Sequence, residues 1–224
     1  MEIQILNAGT LNGFDEEVDV LVVGLGAAGA ASALGAREVG AETLVVERAG
    51  GGGGTSAMSG GVIYLGGGTA LQKACGFDDS PEEMLKYLRA SVGAGRDEAK
   101  LELYCEGSVE HFDWLVAQGV VFKPEYYPFK HTNTPNEAAL MTTGNEEAWP
   151  YIEHAKPAPR GHKPQIKGAH GGIPLMEKLI ASAKAKGVNI ICDARALTSI
   201  ADSAGRIVGI VARIDGEEHC IKAS

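Results

Sequence analysis

Glycines and an acid near the N-terminus have the spacing needed to hold a nucleotide: Gly24, Gly26, Gly29 and Glu47. A glycine at 24 permits a sharp turn, one at 26 lets backbone approach a pyrophosphate, and one at 29 lets a helix pack closely on a strand. Glu47 follows Gly24 by 23 residues and can accept hydrogen bonds from ribose hydroxyls. This pattern predicts a dinucleotide site, and the alternative is a glycine-rich strand-to-helix turn that binds no ligand.

A second glycine-rich run follows Glu47-Arg48 and occupies residues 50–54. It leads directly into Thr55, Ser56, Met58, Ser59, Gly60 and Gly61. A domain that binds a nicotinamide cofactor would normally continue with another strand–helix unit. Here hydroxyls and bare backbone occur instead, where an inner phosphate, a ribityl chain and a flavin ring can lie. The run therefore favours FAD over NAD, and a flexible glycine linker is the alternative.

A strand, a helix and a second strand must position these residues. The almost wholly apolar run Val18–Val23 predicts a parallel strand that is covered on both faces. A helix is predicted from Ala30 to Val39, with Gly40 ending it. The second predicted strand, Thr43–Val46, ends beside Glu47.

Apolar periodicity and turn residues predict the later elements. Helices are expected at 81–91, 97–118 and 173–186, a third strand at 188–192, and a hairpin that joins 207–214 to 219–223 across Asp215-Gly216. The predicted fold class is α/β: a Rossmann-like parallel sheet with a β-meander, in an FAD-binding domain interrupted by a partial cap or insertion segment. The predicted parts are a leader of weak structure at 1–17, the first part of the FAD-binding domain at 18–121, a loop-rich insertion facing substrate at 122–167, and a continuation of the domain at 168–224 that is expected to be truncated before its last strands.

The irregular stretch 122–167 and the residues just after it carry side chains suited to catalysis, since loops carry chemistry more often than regular elements do. The candidates by chemistry are Tyr126, Tyr127, His131, His154, Arg160, His162 and His170, with Tyr126, Tyr127, Arg160 and His170 kept for catalysis. A tyrosine has an ordinary pKa of about 10 and needs an activating neighbour to act as a base near neutral pH. The sequence identifies no such neighbour, so ordinary surface residues are the alternative.

The composition excludes several classes of protein. The 224 residues carry 29 Asp and Glu against 20 Lys and Arg, and the net charge of −9 disfavours binding to nucleic acid or anionic membranes. No apolar run approaches the roughly 20 residues that span a bilayer, and no basic leader precedes one, so we expect a cytoplasmic protein without a membrane span. The four cysteines are far apart and lack C-x-x-C spacing, so no metal site is predicted.

The chain resembles a known superfamily in four stretches. They read VDVLVVGLGAAGAASALGAREVGAETLVVER, GGTSAMSGGVIYLGGG, SVEHFDWLVAQGVVF and GGIPLMEKLIASAKAKGVNIICDARALTSIADSAGRIVGI. Together they are similar to the FAD-binding domain of the fumarate reductase and succinate dehydrogenase flavoprotein superfamily, over nearly the whole chain from Val18. Two phrases, SGGVIYLGGG and TGNEEAWPYIEHAKPAPRGHKP, look most similar to its 3-ketosteroid dehydrogenase-like branch.

The resemblance implies a role for particular residues. It assigns the pyrophosphate to Gly24, Gly26, Ala28 and Gly29, the ribose to Glu47, and a nearby backbone contact to Arg48. It assigns the flavin side to Thr55, Ser56, Met58, Ser59, Gly60 and Gly61 and the adenine to the backbone of Ala196, and it includes Ala27 and Gly54 among the cofactor-binding residues. Respiratory members carry a histidine that bonds covalently to the flavin, just before the threonine that matches Thr55. This chain has Gly54 there, so the resemblance implies that FAD is bound non-covalently.

The resemblance also implies an activity and a longer protein. Relatives continue beyond the position of Ser224 with another parallel strand, an A-T-G-G turn and the rest of a substrate cap, where most of their catalytic residues lie, so we expect a fragment. The implied function is an FAD-dependent dehydrogenase of a CH–CH bond next to a ketone, of the 3-ketosteroid type, with a small-molecule substrate and an electron acceptor as partners. The alternatives are a fumarate-reductase-like enoate reductase, in which Arg160 would grip a carboxylate, and an inactive truncated fragment.

Overall fold

The computed structural model of the protein describes residues 5–129 and 131–224. The chain forms two compact units, of which the first comprises Met1–Ser56 and Leu179–Ser224 and the second Ala57–Lys178. Residues 1–4 of the predicted leader lie outside the described residues. The first unit is therefore built from both ends of the chain, and the second is one continuous segment that contains the predicted insertion 122–167.

The described residues form both strands and helices. The strands are, in chain order, β1 (Leu6–Asn7), β2 (Glu16–Val18), β3 (Val20–Val23), β4 (Thr43–Val46), β5 (Ile63–Tyr64), β6 (Tyr126–Tyr127), β7 (Leu140–Met141), β8 (Gly161–His162), β9 (Asn189–Ile191), β10 (Arg195–Ala201), β11 (Ile207–Ile214) and β12 (Glu217–Ala223). The helices are α1 (Ala27–Glu38), α2 (Gly54–Ala57), α3 (Ala70–Ala74), α4 (Pro81–Val92), α5 (Glu98–Glu106), α6 (Ser108–Ala117) and α7 (Gly172–Ala185), with 3-10 turns at Ala8–Thr10 and Tyr151–Glu153.

The centre of the first unit is a parallel sheet of three strands in the order β3-β4-β9. Val23 pairs with Val46, and Val46 pairs with Ile191, so the three strands end at the same level. Every residue of β4 is buried, as expected for a parallel strand covered on both faces. The strand predicted at 18–23 is divided, because Val18 ends β2 and β3 begins at Val20. The carboxyl ends of these strands form the edge at which ligands bind in open parallel sheets.

The second sheet of this unit contains the β-meander, in the order β1-β10-β11-β12-β2. β10, β11 and β12 are antiparallel neighbours, and Asp215 and Gly216 turn the chain between the last two with φ values of 52° and 89°. β1 and β2 add parallel strands at the two edges. Apart from Val18, their residues lie in the segment 1–17, for which the sequence predicts weak structure. That prediction is wrong, because pairing with β10 and β12 supports segments too short to show an apolar period.

The two sheets of the first unit share a hydrophobic core. The buried members are Val18, Leu44, Val46, Ala194, Ile210, Ala212 and Ile221. Burial of a Val, Leu or Ile side chain stabilises a fold by about 1.5–3 kcal/mol. The α/β class with a Rossmann-like parallel sheet and a β-meander is confirmed.

The second unit contains a small sheet in the order β5-β8-β7-β6. Three of its strands, β6, β7 and β8, lie in the stretch 122–167, where the sequence shows no periodic element. Each of these strands is two residues long, which is too short to be recognised from alternation. The loop-rich stretch is therefore held by backbone pairing with partners that are remote in sequence.

The helix predicted at 97–118 is two helices. α5 ends at Glu106 and α6 begins at Ser108, with Gly107 at the junction. The Ser108 hydroxyl accepts a hydrogen bond from Gly66 N at 2.8 Å, a tertiary contact inside the second unit. Glycine weakens a helix, and this contact fixes the break in a place that apolar periodicity does not reveal.

No helix within residues 5–129 and 131–224 combines the length and apolar character needed to cross a membrane. The same residues contain no group of His, Cys, Asp and Glu side chains that is arranged to hold a metal ion. All four cysteines are free thiols.

Candidate functional site

The turn between β3 and α1 has the geometry of an anion site. Gly24 has a φ of +93°, which a residue with a side chain rarely adopts, and its N–H donates to Val46 O at 2.8 Å. Gly26, which precedes the first helical residue Ala27, supplies no side-chain cap. The first N–H groups of a helix lack intrahelical acceptors and carry the positive end of its dipole. The turn therefore presents donors that suit a phosphate.

Helix α1 approaches the turn so closely at Gly29 that no side chain fits there. A Cβ atom on Gly29 would lie 1.9 Å from Gly24 O and 3.4 Å from Val22 Cγ1. This close approach is the role that the sequence predicts for Gly29. It keeps the start of the helix directly above the end of β3, where the anion would lie.

Glu47 lies at the end of β4 and is fastened to the same turn. Its Oε2 accepts a hydrogen bond from Leu25 N at 2.6 Å, and its Oε1 accepts one from Ala49 N at 2.8 Å. These bonds orient the carboxylate beside the turn, where a ribose hydroxyl can donate to it. The next side chain, Arg48, is exposed.

The glycine run 50–54 is folded onto the turn by specific contacts. Gly53 N donates to Leu25 O at 2.7 Å, and the Ser56 hydroxyl accepts a hydrogen bond from Ala27 N at 3.1 Å. A Cβ atom on Gly52 would lie 2.5 Å from Leu25 Cδ2. These contacts argue against a flexible linker, because the run packs against the turn and brings the Ser56 hydroxyl to the start of α1.

The start of β10 lies beside Glu47 in the first unit. Ala194 N donates to Glu47 O at 2.9 Å, and Asp193 N donates to Ala49 O at 3.0 Å. Asp193 has a φ of 53°, which turns the chain into β10. Ala196, which the resemblance assigns to the adenine, is half-buried and lies three residues after Asp193.

These residues fit the diphosphate and ribose of FAD. The remaining N–H groups at the start of α1 and the Ser56 hydroxyl, which accepts from Ala27 N, suit the negative charge. The Glu47 carboxylate suits neutral ribose hydroxyls. A Cβ atom on Gly24 would meet no atom within 4 Å, so the space beside it is open, whereas Gly29 has no room for a side chain. The chemistry of the donors and acceptors therefore agrees with a bound dinucleotide.

The segment assigned to the flavin by resemblance continues into the second unit as Met58–Gly61. Met58 is exposed, and the Ser59 hydroxyl accepts a hydrogen bond from Gly61 N at 3.2 Å. Gly171 N donates to Gly60 O at 3.1 Å, and a Cβ atom on Gly61 would lie 2.1 Å from Gly171 C. Only glycines permit this backbone-to-backbone contact.

Arg160 is fully buried in the second unit, in an ion pair with Asp79. Its Nη2 and Nε donate to the two carboxylate oxygens at 2.7 and 3.0 Å. Burial pushes the pKa of Asp79 upward, but the hydrogen bonds and charge of Arg160 outweigh burial and hold that pKa below its ordinary value. A substrate carboxylate would have to displace Asp79 at a side chain with no exposed surface. This arrangement gives no support to an enoate reductase that uses Arg160.

His162 is buried as a neutral ring. Its Nδ1 lies 3.0 Å from Arg160 O, and because a carbonyl oxygen can only accept, Nδ1 carries the proton. Nε2 then accepts from the Thr69 hydroxyl at 2.8 Å, and the ring of Phe112 packs against it. Burial lowers the pKa of His162 to about 4. The ring joins β8 to the start of α3, which is a structural role.

The two candidate tyrosines of β6 have different surroundings. The Tyr126 hydroxyl lies 3.3 Å from Thr142 Oγ1. The Tyr127 ring meets Phe129 and His131 edge-on, with ring centroids 5.5 and 6.4 Å apart. The structure therefore brings Tyr127 and His131 together.

The remaining candidates, His154 and His170, are both exposed. A catalytic role for these two, or for either tyrosine, stays a prediction.

Several buried polar residues of the second unit escape sequence reasoning. Asp79 and Lys163 are buried, with partners far away along the chain, and Glu146 is buried with its Oε2 accepting from Gly144 N at 2.8 Å. Burial raises the pKa of Tyr64. Asp79 and Arg160 are 81 positions apart, so no local pattern connects them.

Comparison with known proteins agrees with this site. The sequence model of the FAD binding domain family matches residues 19–224, so the chain belongs to that family and FAD is its cofactor. The 3-oxo-5-alpha-steroid 4-dehydrogenase of Comamonas testosteroni is 34% identical over 215 residues, which cover 92% of this chain and 40% of that protein.

Solved structures extend the comparison. The crystal structure of 3-ketosteroid-delta4-(5alpha)-dehydrogenase from Rhodococcus jostii RHA1, in complex with 4-androstene-3,17-dione, matches with a TM-score of 0.94 and 47% identity over 99% of this chain and 47% of that one. An open flavocytochrome c3 fumarate reductase matches with a TM-score of 0.73 at 24% identity, over 94% of this chain and 33% of that one, and shares the fold. The chain thus spans less than half the length of these relatives. The predicted superfamily and its 3-ketosteroid dehydrogenase-like branch are confirmed.

Proposed function

We propose that this chain supplies the FAD-binding part of an oxidoreductase that removes two hydrogens from a CH–CH bond next to the 3-keto group of a steroid. The observation that carries the proposal is the 47% identity, over 99% of this chain, with the Rhodococcus jostii dehydrogenase. The nucleotide cradle, formed by the turn at Gly24, the Glu47 carboxylate and the Ser56 hydroxyl, supports the proposal, because the groups that would hold the dinucleotide are in place.

The reaction class follows from the chemistry of a ketone. A carbonyl group acidifies the C–H bonds of the neighbouring carbon, so a base can take a proton there while a hydride leaves the next carbon along, and a C=C bond forms. FAD, when bound, supplies the acceptor for the hydride. A separate electron acceptor must then remove the two electrons, and we propose a small molecule in the role of substrate.

The residues of this chain act in the proposal by binding and orienting the cofactor. Helix α1 would neutralise the diphosphate, Glu47 would accept from a ribose hydroxyl, and the glycines would admit the cofactor close to the backbone. The full proposed set is Gly24, Gly26, Ala27, Ala28, Gly29, Glu47, Arg48, Gly54, Thr55, Ser56, Met58, Ser59, Gly60, Gly61 and Ala196.

We propose further that FAD is held without a covalent bond. Gly54 stands before Thr55, at the position where a linking histidine would be needed, and it has no side chain that can form such a bond. Acid precipitation of the purified protein should therefore leave the yellow flavin, with absorption near about 450 nm, in the supernatant. Flavin that stays in the protein pellet would contradict this part of the proposal.

The test of the activity uses the gene product expressed in full from its native reading frame. The purified protein is incubated with the saturated 3-ketone 5α-androstane-3,17-dione and an artificial electron acceptor dye. Formation of 4-androstene-3,17-dione with stoichiometric dye reduction is the expected result. A flavin-loaded protein that gives no steroid product, but oxidises a reduced dye with fumarate, would reject the steroid proposal in favour of an enoate reductase.

A cytoplasmic location is part of the proposal. The four free cysteines support it, because thiols stay reduced in that compartment. Fractionation of the source cells, with the protein detected by antibody, tests it.

A further inference from the structure

Lys163 is a buried lysine whose ammonium group donates hydrogen bonds to three backbone carbonyls. Its side chain has no exposed surface, and Nζ donates to Thr134 O at 2.9 Å, Asn136 O at 3.0 Å and Gly168 O at 3.2 Å. An ammonium group has three donors, so all of them are satisfied. Burial of a charge is costly unless it is compensated in this way. Residues 134–136 and 168 are therefore joined by one cation.

The segments 133–136 and 168–172, which contain the carbonyls bound by Lys163, both contact residues 59–61, which the resemblance assigns to the flavin. On one side, a Cβ atom on Gly60 would lie 2.5 Å from Oδ1 of Asn133, which immediately precedes the bonded Thr134. On the other side, Gly171 N donates to Gly60 O at 3.1 Å, and Gly172 N donates to Ser59 O at 3.2 Å.

The aliphatic part of the Lys163 side chain also packs against this region. A Cβ atom on Gly171 would lie 3.2 Å from Lys163 Cγ and 2.4 Å from Gly60 O. The lysine stem, Gly171 and Gly60 are thus stacked in contact. Residues 59–61 therefore contact two backbone segments, 133–136 and 168–172, that contain the carbonyls bound by the ammonium group.

We propose that Lys163 is a positioning residue for FAD: by holding the carbonyls of residues 134, 136 and 168, it sets the backbone of Ser59–Gly61 on which the flavin lies. The proposal rests on the proposed function, in which those residues line the flavin. Neither the residue type of Lys163 nor its position in the sequence, far from the diphosphate turn, indicates this role.

The first test compares Lys163→Ala with Lys167→Ala, which truncates an exposed lysine four positions away. FAD affinity is measured by quenching of flavin fluorescence, and backbone hydrogen exchange is measured on the FAD-free proteins. Lys163→Ala should raise the Kd for FAD about tenfold or more, the loss expected when hydrogen bonds to a charged group no longer order the binding segment. Exchange should become faster at residues 59–61 and 168–172 and remain unchanged at 20–46. Lys167→Ala should leave both measurements unchanged.

Chemical rescue separates positioning from general damage. The atoms removed in Lys163→Ala correspond to n-propylammonium, so millimolar n-propylammonium should restore FAD affinity by occupying the carbonyl site. Tetramethylammonium has no N–H donor, and n-propanol has no charge, so neither should restore it. Rescue by all three compounds equally, or by none of them, would overturn the assignment.

If Lys163→Ala does not fold, Lys163→Gln takes its place, because an amide keeps two N–H donors without the charge. The expected result is a folded protein with weaker FAD binding and faster exchange at residues 59–61. A folded Lys163→Gln or Lys163→Ala protein with wild-type FAD affinity and wild-type exchange would refute the proposal. Failure of the wild-type protein to bind FAD would instead reject the proposed function, and the exchange data would still test whether Lys163 holds the segment.

Discussion

Gly29→Ala is the substitution that tests the nucleotide cradle most directly. The added methyl group would lie 1.9 Å from Gly24 O, and contacts under 3.0 Å do not occur for real Cβ atoms, so helix α1 and the turn must separate by more than about 1 Å. Overpacking of this kind costs about 1–3 kcal/mol of stability. Gly24 is also the residue whose φ of +93° shapes the turn, so the displacement falls on the proposed diphosphate site.

The same displacement should weaken FAD binding. The start of α1, where Ala27 N donates to the Ser56 hydroxyl, would move relative to the turn at Gly24. A shift of about 1 Å in positioned groups is costly for an interaction that depends on their alignment. We expect the Kd for FAD to rise about 10- to 100-fold, which corresponds to roughly 1.4–2.7 kcal/mol.

Gly35→Ala is the matched control, since it makes the same substitution six residues later in the same helix. A Cβ atom at Gly35 would meet no atom within 4 Å. Alanine is favoured over glycine in a helix interior by about 0.5–1 kcal/mol, so this variant should be slightly more stable than the wild type and bind FAD equally well.

Urea unfolding followed by circular dichroism gives the stabilities, and titration of FAD with the protein gives the Kd from fluorescence quenching. The reasoning fails if Gly29→Ala folds with the stability and FAD affinity of Gly35→Ala, because the close contact between helix and turn would then be unnecessary. A loss of affinity in both variants would also contradict it, since Gly35 lies away from the cradle.

Two further predictions concern the second unit. His162 has a pKa of about 4 in the folded protein and about 6.5 in the unfolded chain. Below pH 6.5 the unfolded state therefore binds one more proton than the folded state. The free energy of unfolding should fall by roughly 3 kcal/mol on acidification to about pH 4. Urea unfolding of the wild type and His162→Gln at pH 7 and pH 4.5 checks this, and an identical pH dependence in both proteins would argue against it. Asp79→Ala should cost about 3–5 kcal/mol, because it leaves the Arg160 guanidinium buried without its counter-charge. The neighbouring Asp78→Ala removes an exposed carboxylate and should stay near wild-type stability in thermal unfolding, so equal losses in the two variants would show that the buried pair is unimportant.

The sequence by itself determined the nucleotide-binding half of the site. Gly24, Gly26 and Gly29 are required by steric limits that act within a few residues, and the apolar strands on either side show their burial in composition alone. The acid at the end of the second strand follows from the same local geometry. Such features depend on short-range backbone conformation, so they can be recognised without the rest of the fold.

Only the tertiary structure decided which other polar residues matter and how. Arg160 looks like a substrate ligand in the sequence, yet it pairs with Asp79 inside the second unit. Lys163 carries no recognisable motif, yet its ammonium group joins carbonyls of residues 134, 136 and 168. The strands at 6–7 and 16–18 likewise exist because β10 and β12 are there to pair with them. In each case the partner lies far along the chain, and a buried charge or a short strand is stable only when the complete fold brings that partner within hydrogen-bonding distance.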